Sequence, residues 1–193
     1  MDAILSTQAP GAPSIAESDD ALAARALHDP EAFTLLYRTC ALDVYRYCYR
    51  RLHDREAAED ATSQIFINAY SGLRRLGSKP FRPWLFTIAH NVVVDAHRAR
   101  RPLFSLDEAD TREDLDPSPE TLAIDREQRD AVQTLLHELP KRDREVVELR
   151  LAGLTGHEIA QTLSCSHEAV RAAHYRAIHR LRELLETEGT FER

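Results

Sequence analysis

Apolar residues recur at three- and four-residue steps along two long stretches of this chain, and no stretch shows the two-residue alternation of a half-buried strand. These apolar stripes predict one helix from Asp54 towards Gly77, with Tyr70 on its buried face, and another from Pro83 to Arg101. We expect an all-α protein, because only helical faces offer a continuous apolar surface to bury. Another stripe predicts a helix near 31–52 and comprises Phe33, Leu36, Tyr37, Cys40, Val44, Tyr47 and Cys48.

An acidic segment separates the two helical stretches and contains two prolines. Such composition is typical of a solvated tether, so residues 103–122 are predicted to be a flexible acidic linker. Two small helical domains are then expected at 18–102 and 123–187, with a flexible leader at 1–17 and a tail at 188–193. The acidic side chains of the linker are Asp107, Glu108, Asp110, Glu113, Asp114, Asp116 and Glu120.

Composition narrows the class of protein. No apolar run approaches the ~18 residues that a membrane span needs, and the start of the chain lacks a basic segment followed by an apolar one. We therefore expect a soluble cytoplasmic protein without membrane insertion. Cys40, Cys48 and Cys165 match no zinc or redox spacing and are interpreted as buried, reduced thiols. No metal and no cofactor is expected.

The C-terminal part has the pattern of a helix-turn-helix. Thr155 can cap a short helix that begins at Gly156, and Ser166 can cap a final helix that ends near Glu186. A short helix followed by a tight turn and a second helix is the geometry of a DNA-reading unit. The second helix carries an excess of cations, which favours a groove-binding role although the net charge is −7. An ordinary surface helix with solvated arginines is the alternative.

Specific motifs connect this part to a known family. Residues 139–150 read LPKRDREVVELR, and they are followed by Gly-Leu-Thr at 153–155 and Glu-Ile-Ala at 158–160. This order resembles region 4 of the bacterial sigma-70 family, in its extracytoplasmic-function (ECF) group. Ala172 and Ala173 depart from the usual pattern of the family. Neither side chain can donate a hydrogen bond, so the resemblance does not predict which DNA sequence the final helix recognises. The resemblance implies that the minus-35 promoter element is contacted by Ser166, His167, Arg171, His174, Tyr175 and Arg176.

The N-terminal part resembles region 2 of the same family. It has Ala-Glu-Asp at 58–60 followed by Phe66, and Trp-Leu-Phe-Thr-Ile-Ala-His-Asn at 84–91. Trp84 could stack on a base, but its neighbours favour a role in anchoring the core. The resemblance implies contacts to the clamp helices of core RNA polymerase by Glu59, Asp60, Ser63 and Gln64. It also implies contacts to the minus-10 element by Arg74, Arg75, Lys79, Arg82, Asn91, His97, Arg98 and Arg101.

These resemblances imply a sigma factor that binds the polymerase core, at its clamp helices and flap, and directs promoter-specific transcription initiation. The protein is expected to be a monomer when free, not an enzyme, and a possible target of an anti-sigma factor. The acidic linker is either a plain tether or a segment that threads the polymerase cleft. The alternative function is a stand-alone helix-turn-helix regulator, which would be expected to dimerise on a palindromic site.

Overall fold

The computed structural model describes residues 17–100 and 131–188. Within these ranges the chain is helical and contains no strand, which confirms the all-α prediction. The predicted acidic linker, nearly all of the predicted leader, and residues 189–193 lie outside the described residues. The helices are α1 (Asp19–Arg25), α2 (Pro30–Leu52), α3 (Arg55–Gly72), a 3-10 turn (Leu73–Arg75), α4 (Phe81–Arg100), α5 (131–137), α6 (Lys141–Leu151), α7 (Gly156–Thr162) and α8 (His167–Glu188).

Side-chain caps determine where the first helices begin. The Ser18 hydroxyl accepts a hydrogen bond from the Ala21 N–H at 3.2 Å and so caps α1. Asp20 accepts from the backbone N–H of Phe81 at 2.7 Å. This contact satisfies one of the free N–H groups in the first turn of α4, and α4 starts two residues before Pro83.

Helices α1 to α4 form an N-terminal unit around an aromatic and aliphatic core. Tyr47 and Phe86 are fully buried, and their rings meet edge to face with centroids 5.6 Å apart. The prediction that Tyr37 and Tyr70 point inward is wrong, since they are 46% and 54% exposed. Each ring packs with its edge against a phenylalanine at the rim of the core instead of entering it.

Helices α5 to α8 form a C-terminal unit. Its buried side chains include Leu149, Ile159, Val170 and Ala173, which join α6, α7 and α8. Ile178 of α8 is only half-buried. None of the helices in 17–100 and 131–188 is long and apolar enough to cross a bilayer.

The two units pack directly against each other, a feature that the linker pattern did not predict. A single hydrophobic core runs from α2, α3 and α4 into α6, α7 and α8. α4 contacts α7, and α2 contacts α6. Arg51 of α2 pairs with Glu148 and Glu145 of α6 across this boundary. The structure therefore shows the two units in a closed arrangement.

Candidate functional site

The turn between α7 and α8 is defined by caps at both helices. The Thr155 hydroxyl accepts from the Glu158 N–H at 3.4 Å, and the Glu158 carboxylate accepts from the Thr155 N–H at 2.6 Å, which is a complete capping box. The Ser166 hydroxyl accepts from the Ala169 N–H at 3.1 Å and so caps α8. Between the helices Ser164 adopts a left-handed φ of 50°. A helix-turn-helix is therefore present where the sequence predicted it.

Close packing against α8 fixes the first turn of α7. The rings of His157 and His167 stack with centroids 4.0 Å apart and planes 18° apart. A Cβ added at Gly156 would lie 2.8 Å from Nε2 of His167, so only glycine fits there without a shift. His167, a predicted DNA contact, is consequently half-buried against α7.

The exposed face of α8 is cationic and concave. An open groove of about 630 Å³ is lined by Arg171 and Arg182 of α8 and by Arg150 of α6, against a single acid, Glu168. His174 and Tyr175 line the same groove, and Tyr175 is 72% exposed. Guanidinium groups around a concave surface suit phosphate oxygens, and an exposed aromatic ring can pack on sugars or bases. This groove brings together three of the six predicted minus-35 residues.

Arg176 lies outside that groove and is held by α6. Its Nη2 and Nε donate to the Asp143 carboxylate at 2.6 and 3.1 Å. The pKa of Arg176 is raised by this hydrogen bond and by the negative charge of Asp143. Because Asp143 is buried, the pair joins α8 to α6. Arg176 is thus positioned to orient the helix.

The two alanines at positions 172 and 173 have different surroundings. Ala173 is fully buried between the helices, whereas Ala172 is exposed and lines the groove. A small residue at 173 therefore serves helix packing, and only the one at 172 alters the outer surface.

A second concave surface lies between the end of α3 and α4. It has a volume of about 340 Å³ and is lined by Arg75, Asn91 and Trp84, among others. Trp84 is half-buried, and its ring packs against Gly72, where an added Cβ would lie 3.3 Å away. Trp84 therefore combines contact with the core and a face on this cleft.

Four more of the predicted minus-10 residues are exposed but do not line this cleft. Arg74 and Lys79 are exposed on the turn before α4, and His97 is exposed on the last turns of α4. Arg98 is exposed and pairs with Asp95 at 3.3 Å. Arg101 lies outside the described residues.

Arg82 is directed away from the cleft. Its guanidinium pairs with Asp43 and donates to the carbonyl of Ala152, the residue that follows α6, from Nη2 at 2.9 Å and from Nε at 3.2 Å. In this closed arrangement the donors of Arg82 are thus used within the protein.

The predicted polymerase contacts form one exposed face of α3. Glu59, Asp60, Ser63 and Gln64 are all exposed; Glu59 pairs with Arg55 at 3.0 Å. The Gln64 amide donates to Asn68 at 2.8 Å. This face presents polar side chains held in place by neighbours one turn away.

Sequence reasoning missed an aromatic surface beside that face. Ile67 is 58% exposed, and the exposed rings of Tyr37 and Tyr70 lie close by on α2 and α3. The Tyr70 ring meets Phe33 with centroids 5.0 Å apart, which limits its motion. Rigid aromatic groups on a surface are typical of protein interfaces. The spacing of Asp60, Gln64 and Ile67 on one stripe of α3 was the signal that could have revealed it.

A pair of histidines lies at the boundary between the units. His53 Nε2 and His137 Nε2 are 2.7 Å apart, and the Gln133 amide contacts the other nitrogen of His53. Although His53 retains solvent exposure, desolvation at this contact and the nearby His137 and Arg144 lower its pKa to about 4. Cys40 and Cys48 are buried free thiols, as expected, and burial raises the pKa of each to about 12. Cys165 is free but only half-buried.

Comparison with known proteins places both units in one family. The family described as Sigma-70 region 2 matches residues 36–102, and Sigma-70, region 4, matches 129–181. The ECF RNA polymerase sigma factor BldN of Streptomyces coelicolor is 36% identical over 168 residues, which cover 81% of this chain and 61% of BldN. SigD of Mycobacterium bovis, also an ECF RNA polymerase sigma factor, is 31% identical over 182 residues, covering 89% of this chain and 86% of SigD.

A solved structure shares the arrangement. CnrH in complex with the cytosolic domain of CnrY superposes with a TM-score of 0.69 at 25% identity, over 88% of this chain and 97% of that chain. Because both regions match in the order of the motifs, and relatives with this name align over most of the chain, the protein belongs to the ECF sigma factors of the sigma-70 family.

Proposed function

We propose that this chain binds the core of RNA polymerase and directs promoter-specific transcription initiation, with no catalysis of its own. The N-terminal domain (18–102) would contact the clamp helices and the minus-10 element, and the C-terminal domain (123–187) would contact the flap and the minus-35 element. The observation that carries the proposal is the cationic groove on the second helix of a helix-turn-helix, present in a chain that also has the region 2 unit.

The upstream element would be read by the groove of α8. Arg171 and Arg182 lie about three turns apart on one face of α8 and can neutralise phosphates there, and His174 and Tyr175, which line the same groove between them, can contact base edges. Ala172 in the same groove can offer only apolar contact, for example to a thymine methyl group.

The downstream element would be held in the cleft between α3 and α4. A melted strand needs cations along its backbone and pockets or flat faces for its bases. Arg75 and Asn91 supply a cation and an amide in this cleft, and the exposed part of Trp84 supplies a flat face.

The polymerase core would bind the polar face of α3 together with its aromatic neighbours. Asp60 and Gln64 would give directional contacts, while Tyr70 and Ile67 would bury apolar area, as anchoring residues of interfaces do. We also propose that an anti-sigma factor can cover this surface, because CnrH was solved with the cytosolic domain of CnrY. Work with polymerase and DNA would place the protein in the bacterial cytoplasm.

Reconstituted transcription tests the proposal. Purified protein and bacterial core polymerase are combined on fragmented genomic DNA, and transcript starts are mapped. Starts that share two upstream elements at a fixed spacing would support it. Arg171→Ala should reduce promoter use without weakening core binding. Arg180→Ala is the matched control, since Arg180 lies on the same helix outside the groove and pairs with Glu183.

An absence of both start-site selection and core binding would overturn the proposal. A dimer with tight binding to a palindromic duplex would then favour the stand-alone regulator.

A further inference from the structure

Two histidines and an arginine converge on Gly156 at the start of α7. A Cβ added at Gly156 would lie 2.8 Å from His167 Nε2 and 3.3 Å from Arg150 Nη2, so both groups approach one point. The His157 ring stacks on the His167 ring with centroids 4.0 Å apart. Three helices, α6, α7 and α8, therefore bring nitrogen-containing side chains together beside the turn of the helix-turn-helix.

Arg150 connects this cluster to the groove of α8. Its Nη1 donates to the Leu154 carbonyl at 3.2 Å, which holds the guanidinium in place, and the same side chain lines the groove together with Arg171. In helix-turn-helix proteins the first helix crosses the DNA backbone while the second lies in the major groove. His157 is exposed in the first turn of that first helix. A strand bound along the α8 groove would therefore bring a phosphate close to His157.

The two rings of the stack have different surroundings. His157 is exposed, whereas His167 is half-buried and has the Arg150 guanidinium close by. Two imidazolium ions at this separation would repel each other, so one proton on the stack is favoured over two. The positive charge of Arg150 disfavours a proton on His167. His157 is therefore the ring that gains the charge, and neutral His167 provides the flat surface that orients it.

The acids next to the two histidines in sequence have other partners. The Glu158 carboxylate accepts from the Thr155 N–H at 2.6 Å in the capping box of α7. Glu168 lines the groove beside Arg171, and its pKa is lowered, first by a hydrogen bond from its own backbone and also by Ser166. His157 can therefore exchange water for a phosphate without first giving up either carboxylate.

The α4 side of the cluster contributes a cation that is already balanced. The Arg82 guanidinium lies 3.7 Å from the position of a Cβ added at Gly153, in the turn before α7. It pairs with Asp43 and donates to the Ala152 carbonyl. The new charge that His157 meets on DNA binding is thus the phosphate.

We propose that His157 is a further contact to the DNA backbone in the minus-35 half of the promoter, that the His167 ring orients it, and that it binds a phosphate in its protonated form. This contact rests on the proposed function. The phosphate stabilises the imidazolium, and an imidazole changes its charge between about pH 8 and pH 5. The protein should take up as much as one proton from solution when it binds the promoter, so affinity should rise as the pH falls.

Salt dependence at two pH values tests the contact, with reconstituted holoenzyme and a duplex taken from the mapped start sites. Each phosphate contact contributes about 0.9 to the slope of log affinity against log salt. At pH 6 the slope of the wild-type protein should be steeper than that of His157→Gln by about 0.9, and at pH 8 the two slopes should agree. Contributions of the polymerase cancel in this difference.

Three further variants separate a charged contact from a structural role. His157→Lys carries its charge at both pH values, so its slope should be the steeper one at pH 8 as well as at pH 6. His167→Ala removes the ring that orients His157 and should reduce the difference at pH 6. His28→Gln replaces an exposed histidine before α2 and is the matched control, which should behave as the wild type. Circular dichroism verifies that each variant keeps its helices.

The variants give opposite results if the assignment is wrong. Loss of the steeper slope in His157→Gln and its presence at pH 8 in His157→Lys would support the contact. Equal slopes of wild type and His157→Gln at both pH values would overturn it, as would a pH dependence that His174→Gln removes and His157→Gln retains. In either case promoter binding itself would leave the proposed function standing. A wild-type holoenzyme that selects no promoter would overturn both.

Discussion

Two arginines that sequence motifs assign to the same task should behave differently when replaced. Arg171 lines the groove of α8 together with Arg150 and Arg182, whereas Arg176 is held by Asp143 of α6. We therefore predict that Arg171→Ala weakens phosphate binding and that Arg176→Ala weakens the packing of α8 on α6.

The salt dependence of promoter binding gives the size of the effect. Each phosphate contact contributes about 0.9 to the slope of log affinity against log salt, so the three cations of the groove contribute about 2.7. Between about 50 and 200 mM salt this contribution corresponds to a loss of about 40-fold in affinity, and without Arg171 to about 12-fold. The assay is binding of the reconstituted holoenzyme to a promoter duplex across this range of salt.

Arg176→Ala should leave that slope nearly unchanged and lower the thermal midpoint of the free protein, because buried Asp143 loses its partner. Arg180→Ala, outside the groove, should change neither quantity. The reasoning would be refuted if Arg176→Ala reduced the slope as much as Arg171→Ala while leaving the thermal midpoint intact.

Other predictions concern the core, the polymerase surface and pH. Phe86→Ala should lower the free energy of unfolding by about 3–5 kcal/mol, measured by urea denaturation, because the ring is fully buried. Tyr70→Ala should weaken core binding about tenfold in a titration with polymerase and leave the urea midpoint nearly unchanged, since the ring is half-exposed. In the closed form the pKa of His53 is about 4 against an ordinary 6.5, so the open form takes up the proton first. The contribution of His53 to closure should be complete above pH 6.5 and be lost as the pH falls to 4; a radius of gyration that stays small throughout in small-angle X-ray scattering would contradict this.

Local signals explain what the sequence predicted correctly. The caps at Thr155 and Ser166 depend on residues three positions away, so the helix-turn-helix follows from short-range chemistry. The apolar stripes of α2 and α3 likewise predicted these helices correctly. Tyr37 and Tyr70 were wrongly assigned to the core, because a helical period shows which residues share a face and does not show how wide the buried strip of that face is.

Contacts between distant residues could not be predicted in this way. Asp20 caps α4 through Phe81, which lies 61 positions away, and Arg51 meets Glu148 across 97 positions. No period or motif encodes such pairs, because each partner alone has the pattern of an ordinary charged helix residue. The prediction of a linker was made from composition, which does not report how the two units that it joins are packed.

The placement of acidic residues reconciles a net charge of −7 with a DNA-binding role. Three of the acids on α6 are buried and paired with arginine: Asp143 with Arg176 inside the C-terminal unit, Glu145 and Glu148 with Arg51 of the N-terminal unit. Charges neutralised in this way contribute little to the field outside the protein, because each lies within about 4 Å of its opposite. The cations of the α8 groove face solvent instead, so the potential at that surface is set by them and not by the sum over the chain.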